Sequence, residues 1–248
     1  FVDTETTGID RMNDHIIEIA VKVLSFETSS GKILSVEGSF ESFNDPEEDI
    51  STEITHLTGI DNKMVDGKSI DWNDVDAIFK SVDIIIAHNA SFDRAFIDRF
   101  SSISPSKVWA CSVSDIDWLE RGFTSSKQEL LCCWHGFYFD AHRAMNDVDA
   151  LIHLLTFDSG LERPLLELIK NSNKSDFIIF AEHFKYDPVK KDILKGNKYK
   201  WNPNDKIWYK KVSIDELENE KDWLTATIYD QIFNGRVEEI IPSNKYKL

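Results

Sequence analysis

The sequence predicts an α/β protein built from two parts. Residues 1–157 open with three strand-like runs and then alternate strands with helices, a pattern that indicates a mixed sheet flanked by helices. Residues 175–248 combine short strands with helical spacing and predict a small α+β module. The segment 158–174 contains a glycine, a proline and a short amphipathic helix, and is predicted to be a linker.

The elements follow from local patterns along the chain. Apolar, β-branched runs predict strands, and apolar residues spaced three and four apart predict helices. In the first part the predicted strands are the opening segment before Thr7, then 16–24, 33–43, 82–87 and 108–112. The predicted helices there are 51–60, 71–80, 92–100, 114–120, 126–134 and 142–155. In the second part we predict a strand at 177–184, a helix at 188–194, a hairpin over 199–212 and a final helix at 215–233.

Composition limits the classes of function. The net charge of −16 argues against a protein that binds nucleic acid by its overall charge, although the stretch 185–211 holds nine Lys and three Asp. Three cysteines without metal-site spacing favour free thiols and a reducing compartment. No apolar run approaches the length of a membrane span, so we expect no membrane contact and a cytoplasmic protein. We also expect that a few residues precede Phe1.

The opening strand carries two acids, Asp3 and Glu5, separated by one residue. Side chains two apart on a strand point to the same face, so both carboxylates project together where Thr7 and Gly8 end the strand. A divalent cation would relieve their repulsion. An exposed acidic strand end without a cation is the alternative.

Two later motifs also carry polar residues. The first, residues 88–93, follows an apolar strand and ends at Asp93 in the first turn of a helix, where a carboxylate also simply complements the helix dipole. The second runs from His142 to Asp147 at the start of another helix. A spacing of five places the histidine on the entry loop and the aspartate within the helix. A histidine that only caps the helix is the alternative.

Together the three motifs, Asp-Thr-Glu-Thr-Thr-Gly, His-Asn-Ala-Ser-Phe-Asp and His-Arg-Ala-Met-Asn-Asp, resemble those of the DnaQ-like (DEDDh) 3′-5′ exonucleases in order and spacing. This family includes the proofreading subunit of bacterial replicative polymerases. The resemblance covers about the first 157 residues and implies a ribonuclease H-like fold with a mixed five-stranded sheet. It implies a hydrolase that removes nucleoside 5′-monophosphates from the 3′ end of DNA or RNA.

The resemblance also implies roles for single residues. Two Mg²⁺ or Mn²⁺ ions would be held by Asp3, Glu5, Asp93 and Asp147, and His142 would be the general base. The expected substrate-binding residues are Thr6, Thr7, Gly8, His56, His88, Asn89 and Phe92. From residue patterns alone, His56 is as readily a helix-surface residue.

The predicted hairpin of the C-terminal module mixes cations with aromatic rings. Such a mixture suits single-stranded nucleic acid, but it equally fits a hairpin whose rings form a core and whose lysines are solvated. The candidate contacts are Lys198, Lys200, Trp201, Lys206, Trp208 and Lys210.

Three alternatives to a free-standing DNA exonuclease stay open at this point. The chain could serve chiefly as a proofreading or binding subunit on a DNA polymerase, with a role in DNA repair. It could be an exoribonuclease that acts on short RNA. It could hold a structural cation in a nucleic-acid-binding module, but such a site needs no general base such as His142.

Overall fold

A computed structural model describes residues 1–229 and 231–247. These residues form two compact units, one comprising Phe1–Asn173 with Tyr246 and Lys247, the other Lys174–Lys245. The predicted linker segment therefore falls mostly in the first unit. Its helix, Pro164–Ser172, places Leu165 and Leu168 in that unit's core. No helix in the described part of the chain combines the length and apolarity needed to cross a membrane.

The first unit begins with three antiparallel strands, as predicted. They are β1 (Val2–Thr6), β2 (Ile16–Phe26) and β3 (Ile33–Phe43). Strand β2 lies in the centre, and Glu5 of β1 is directly opposite Glu18 of β2. A register shift follows Glu5, so the ladder becomes irregular where the acidic face ends.

The rest of the unit alternates helices with a parallel strand pair. Its helices are α1 (Thr52–Thr58), α2 (Asn62–Val65), α3 (Trp72–Ser81), α4 (Ala90–Ile97), α5 (Gln128–Trp134), α6 (Ala144–Thr156) and α7 (Pro164–Ser172), and its later strands are β4 (Ile84–Ala87) and β5 (Val108–Cys111). Strands β4 and β5 pair in parallel. The predicted α/β class is confirmed. Within the described residues, however, the five strands form two separately hydrogen-bonded sheets, which share one core through Val2 and Ile85.

Local sequence explains most of these elements. Ser51 caps α1 by accepting a hydrogen bond from the Ile54 amide, and Gly59 ends the helix at a φ of 71°, which only glycine adopts without strain. The helix predicted at 114–120 is wrong, because that segment consists of successive turns. There the Trp118 indole is buried and donates to the Ser112 carbonyl at 2.7 Å.

Helices pack on both faces of β1 and β2. On one face, Ala144 and Val148 of α6 contact Ala20, which shares that face with Asp3, Glu5 and Glu18. On the other face Val2 packs with residues of α3 and α4. The strand that carries the first two acids is therefore enclosed by the helices that carry the other two.

The second unit is a four-stranded antiparallel sheet with helices. Its strands are β6 (Asp176–Ala181), β7 (Lys200–Asn202), β8 (Ile207–Ser213) and β9 (Arg236–Ile240), in the order β7-β8-β6-β9, and its helices are α8 (Pro188–Gly196) and α9 (Leu217–Leu224). Strand β9 was not predicted. Helix α9 is shorter than predicted and continues as a π-helix over Thr225–Tyr229, where the hydroxyls of Thr225 and Thr227 bond to carbonyls four residues back.

Candidate active site

Three carboxylates converge beside β1. One oxygen each from Asp3, Glu5 and Asp147 lies within 4.8 Å of the others. Asp3 and Glu5 share a face because β1 alternates, and Asp147 comes from the first turn of α6, which packs on that face. All three are half-buried, so their charges are only partly solvated. Carboxylate oxygens at this spacing are a donor set suited to hard divalent cations.

Asp93 approaches β1 from helix α4. Its Oδ1 accepts hydrogen bonds from the backbone amide of Thr4 at 3.0 Å and from the Thr4 hydroxyl at 2.8 Å. The side chain is buried next to the cluster, and the charge of Asp93 is the neighbouring charge that most raises the pKa of Asp3. The structure therefore brings Asp93 to the other three acids, with one oxygen already bonded to β1.

The four acids destabilise one another's charges. Burial, followed by the charges of Asp93, Asp147, Glu5 and Glu18, raises the pKa of Asp3 well above its usual value. Burial first and neighbouring acids second raise the pKa of Glu5 to about 8. Burial raises the pKa of Asp93 to about 7 and that of Asp147 to about 6. Without a bound cation, the four carboxyl groups favour their protonated forms. A bound cation would favour the charged carboxylates instead.

His142 lies at the edge of the cluster. It has a left-handed backbone, with φ at 65°, and its side chain is 43% exposed, with Nε2 at 3.8 Å from Glu129 Oε1 of α5. The backbone amide of Arg143 donates to Asp147 Oδ2 at 3.2 Å. A hydrogen bond from the His142 backbone also lowers the pKa of Asp147. The segment that leads into α6 therefore wraps around Asp147 and presents the imidazole to solvent.

The two threonine hydroxyls of the predicted Thr-Thr-Gly segment make hydrogen bonds within the turn after β1. Thr6 Oγ1 donates to the Gly8 carbonyl at 2.6 Å, and Thr7 Oγ1 donates to Asp14 Oδ1 at 3.2 Å. A Cβ on Gly8 would lie 2.4 Å from Asp14 Oδ2, so a larger residue there would displace the Asp14 carboxylate that bonds to Thr7. The residues stand beside the cluster, and their hydroxyls hold the turn.

The other predicted substrate residues occupy different environments. His56 is exposed in the last turn of α1. His88 is mostly buried, with Nδ1 at 2.6 Å from Ser112 Oγ, and burial lowers its pKa to about 4. Asn89 precedes α4 in a left-handed conformation without capping it, and Phe92 packs on Phe96 with ring centroids 5.0 Å apart. The His88 ring is therefore bonded to Ser112, the residue that follows β5.

Within the second unit, two of the six predicted nucleic-acid contacts have packing roles. Trp208 is only 9% exposed and lies in the core of that unit. Lys210 Nζ pairs with Glu220 Oε2 at 2.6 Å and lies 5.7 Å from the centre of the Tyr199 ring. By contrast, Trp201 is 46% exposed. Lys198, Lys200 and Lys206 are also exposed.

Two residues beside the cluster were not predicted to support it. Thr4 fixes Asp93, and nothing in its sequence position indicates this. Glu18, which was not among the predicted site residues, lies opposite Glu5 with a fully buried side chain. An acid within an apolar strand pattern was the available signal.

Comparison with known proteins places the first unit in a family. The family model described as Exonuclease (RNase_T) matches residues 1–155. The chain is 37% identical over 102 residues to the DNA polymerase III PolC-type of Listeria innocua, covering 39% of this chain and 6% of that protein. It is 34% identical over 166 residues to the PolC-type polymerase of Staphylococcus saprophyticus, covering 61% of this chain and 11% of that protein.

Among solved structures, exonuclease X in complex with 5′-overhanging duplex DNA aligns with a TM-score of 0.49 at 21% identity, covering 67% of this chain and 95% of that one. The chain spans only 6% of the length of the Listeria polymerase and 11% of the length of the Staphylococcus polymerase. The family match spans more than half of this chain and includes all three motifs. The chain therefore belongs to the DnaQ-like exonuclease family.

Proposed function

We propose that this protein is a metal-dependent 3′-5′ exonuclease that hydrolyses DNA. The observation that carries the proposal is the convergence of Asp3, Glu5 and Asp147 within 4.8 Å, with Asp93 buried beside them, in a chain that belongs to an exonuclease family. Four acids from three distant segments would be costly to gather without a charge to compensate them.

The donor set fits divalent cations. It consists of carboxylate oxygens whose raised pKa values reflect burial and mutual repulsion, which is the chemistry expected of a site that awaits positive charge. Asp3, Glu5 and Asp147 would hold Mg²⁺ or Mn²⁺, with Asp93 contributing through Oδ2, since its Oδ1 is bonded to Thr4. When bound, two such ions would acidify a water molecule and stabilise the leaving oxygen.

His142 acts as the general base in this proposal. Its imidazole removes a proton from the attacking water, whose oxygen then bonds to phosphorus. The bond from phosphorus to the 3′ oxygen of the penultimate sugar breaks, its electron pair stays on that oxygen, which takes a proton from solvent, and a nucleoside 5′-monophosphate leaves. The position of His142 at the start of the segment that bonds to Asp147 supports this role, and its 43% exposed side chain would have to turn from Glu129 toward the cluster.

The terminal nucleotide would lie near the turn after β1. Thr6, Thr7 and Gly8 would border the nucleotide there, while the two threonine hydroxyls keep the turn in shape. His56 and Phe92 would border the nucleotide. Asn89 and His88 follow β4 and would hold His56 and Phe92 in place around the nucleotide. His88 would do so while bonded to Ser112.

The second unit would contribute affinity for the strand. Trp201 offers an exposed ring for stacking, and the exposed Lys198, Lys200 and Lys206 offer positive charge to phosphates. Trp208 would support this surface indirectly, because its ring packs against Trp201 with centroids 5.3 Å apart. Lys210 would support it through its ion pair with Glu220.

The relatives favour DNA as the substrate. Both reported relatives are DNA polymerases of the PolC type, so proofreading beside a polymerase is the second candidate function. In that case the partner would be a DNA polymerase subunit. RNA hydrolysis is the remaining outcome of the same assay.

The test uses 5′-labelled single-stranded DNA and RNA incubated with Mg²⁺, Mn²⁺ or EDTA. We expect a ladder of products shortened from the 3′ end with either metal and none with EDTA or with Asp3→Ala. Trimming that survives both treatments would refute the proposal, and a preference for the RNA strand would redirect it to exoribonuclease activity.

A further inference from the structure

Glu18 is a buried acid at the centre of β2. Its side chain is 0% exposed, and it lies opposite Glu5 in the β1–β2 ladder. Residues directly opposite in a ladder share a face, so Glu18 stands next to the three converging acids. A buried carboxylate beside like charges is unfavourable unless specific partners compensate it.

Those partners belong to the start of helix α6. Glu18 Oε1 accepts from Arg143 Nη2 at 2.7 Å and from Nε at 3.2 Å, while Oε2 accepts from the backbone amide of Ala144 at 2.9 Å. Both carboxylate oxygens are thereby occupied. Glu18 is consequently set apart from the acids proposed to bind metal, although it shares their face.

The same contacts also provide a cap for the first amide of helix α6. Arg143 is the N-cap of α6, and its own side chain makes no capping hydrogen bond. The first amides of a helix lack intrahelical partners, and the Ala144 amide finds one in Glu18 from a strand more than a hundred residues away. The Arg143 guanidinium lies 5.5 Å from the centre of the Phe43 ring, which holds it from a third direction.

The clamped backbone is the one that positions His142 and Asp147. His142 directly precedes Arg143 and is held in a left-handed conformation, with φ at 65°, that is strained for a non-glycine residue. The Arg143 amide donates to Asp147 Oδ2. If Glu18 released Arg143 and Ala144, the histidine would be free to relax and the contact to Asp147 would loosen.

We propose that Glu18 and Arg143 form a positioning pair that holds the backbone at His142, from which the imidazole reaches the cluster. The inference rests on the proposed function, since it assigns a task to the residues around the general base. Glu18 does not touch the reacting atoms. It acts through the backbone of residues 142–144.

The test compares this pair with a second ion pair of similar chemistry. Arg121 Nη2 and Glu167 Oε2 are 2.7 Å apart, also within the first unit, and their side chains are 16% and 20% exposed. We expect Glu18→Gln to lower kcat on labelled single-stranded DNA by about 100-fold, because small displacements of catalytic groups have effects of that size. KM and the Mn²⁺ concentration for half-maximal rate should change less than about threefold. Glu167→Gln should leave kcat unchanged, while circular dichroism verifies that both variants fold.

A double-mutant cycle separates positioning from a general structural effect. If Glu18 acts through His142, adding Glu18→Gln to His142→Ala should cause little further loss, whereas independent effects would multiply. Multiplying losses, or a rate that recovers at high metal concentration, would overturn the inference. If Glu18→Gln does not fold, Arg143→Lys replaces it in the same cycle, because that side chain is partly exposed.

The outcomes for this pair and for the proposed function are distinct. An inactive Asp3→Ala together with an unaffected Glu18→Gln would overturn only the positioning inference. Full trimming by Asp3→Ala would overturn the exonuclease proposal itself.

Discussion

Thr4 donates two hydrogen bonds to the same oxygen of Asp93, one from its backbone amide at 3.0 Å and one from its hydroxyl at 2.8 Å. The strand that carries Asp3 and Glu5 therefore also fixes the acid contributed by α4. A shift of β1 would therefore move Asp3, Glu5 and Asp93 together.

Thr4→Val should weaken this link. The substitution keeps the shape of the side chain but removes the hydroxyl, and a hydrogen bond to a charged group contributes about 1.5–3 kcal/mol. We expect kcat to fall by about tenfold, measured with labelled single-stranded DNA at saturating Mg²⁺. Thr4→Ser retains the hydroxyl and serves as the control. Equal rates for the two variants would show that the backbone amide alone positions Asp93.

Metal binding should stabilise the fold through the acid cluster. At a free Mn²⁺ concentration of 100 times Kd, the stabilisation would be about 2.7 kcal/mol. Differential scanning fluorimetry with and without Mn²⁺ should reveal a rise in Tm for the wild type and for Glu120→Gln, an exposed acid far along the chain. A rise that persists in Asp3→Asn would contradict the assignment.

Without metal, the wild-type protein should be less stable than the variant Asp3→Asn. Burial and the surrounding acids raise the pKa of Asp3, so its charged form is unfavourable in the folded state. At neutral pH in EDTA, Asp3→Asn should therefore unfold at a higher urea concentration than the wild type, although it is inactive. A lower midpoint would mean that Asp3 stabilises the metal-free fold.

The sequence predicted the parts of the site that depend on local periodicity. Asp3 and Glu5 share a face because strands alternate, and Asp147 lies on α6 because its apolar stripe specifies that helix. That these distant segments come together was expected only from the family resemblance. The turns at 114–120 and strand β9 were missed, since their local patterns are weak and the surrounding packing decides their conformation.

The supporting contacts could not be predicted from the sequence. Thr4 and Asp93 are 89 residues apart, and Glu18 and Arg143 are 125 residues apart. Neither pair follows a spacing rule, because each is created only when a helix docks on the opening sheet. The aromatic residues of the second unit were ambiguous for a similar reason, since a hairpin pattern does not say which face a helix will cover.

His142→Ala should separate chemistry from metal binding. The side chain is outside the group of three converging oxygens, so its removal leaves the metal site intact. We expect the trimming rate to fall by about 100-fold or more, because a general base typically contributes about 10²- to 10⁴-fold. The Mn²⁺-dependent rise in Tm should remain as in the wild type. A lost rise in Tm would indicate that the histidine supports the metal site instead.

His88 should make the protein sensitive to acid. Burial lowers the pKa of its imidazole to about 4 from 6.5, so the unfolded chain binds a proton more tightly than the folded one. Stability then rises with pH in this window, and the contribution present above pH 6.5 is lost as the pH falls toward 4. The loss amounts to at most about 3 kcal/mol. Urea unfolding at pH 7 and pH 4 should show a smaller difference for His88→Gln than for the wild type or for His56→Gln, an exposed-histidine control.

Trp201 should contribute to strand binding through the exposed part of its ring. Stacking of a base on an exposed ring contributes about 1–3 kcal/mol, so Trp201→Ala should weaken binding of single-stranded DNA by roughly 5- to 100-fold. Fluorescence anisotropy in EDTA measures the affinity while preventing cleavage. Lys206→Ala should weaken binding less and make it less dependent on salt, because it removes one phosphate contact. Lys221→Ala, on helix α9 of the same unit, is the control for loss of a charge, since its ammonium pairs with Glu218 at 2.7 Å. If all three variants bind as the wild type does, the aromatic residues of the hairpin serve only to fold the second unit.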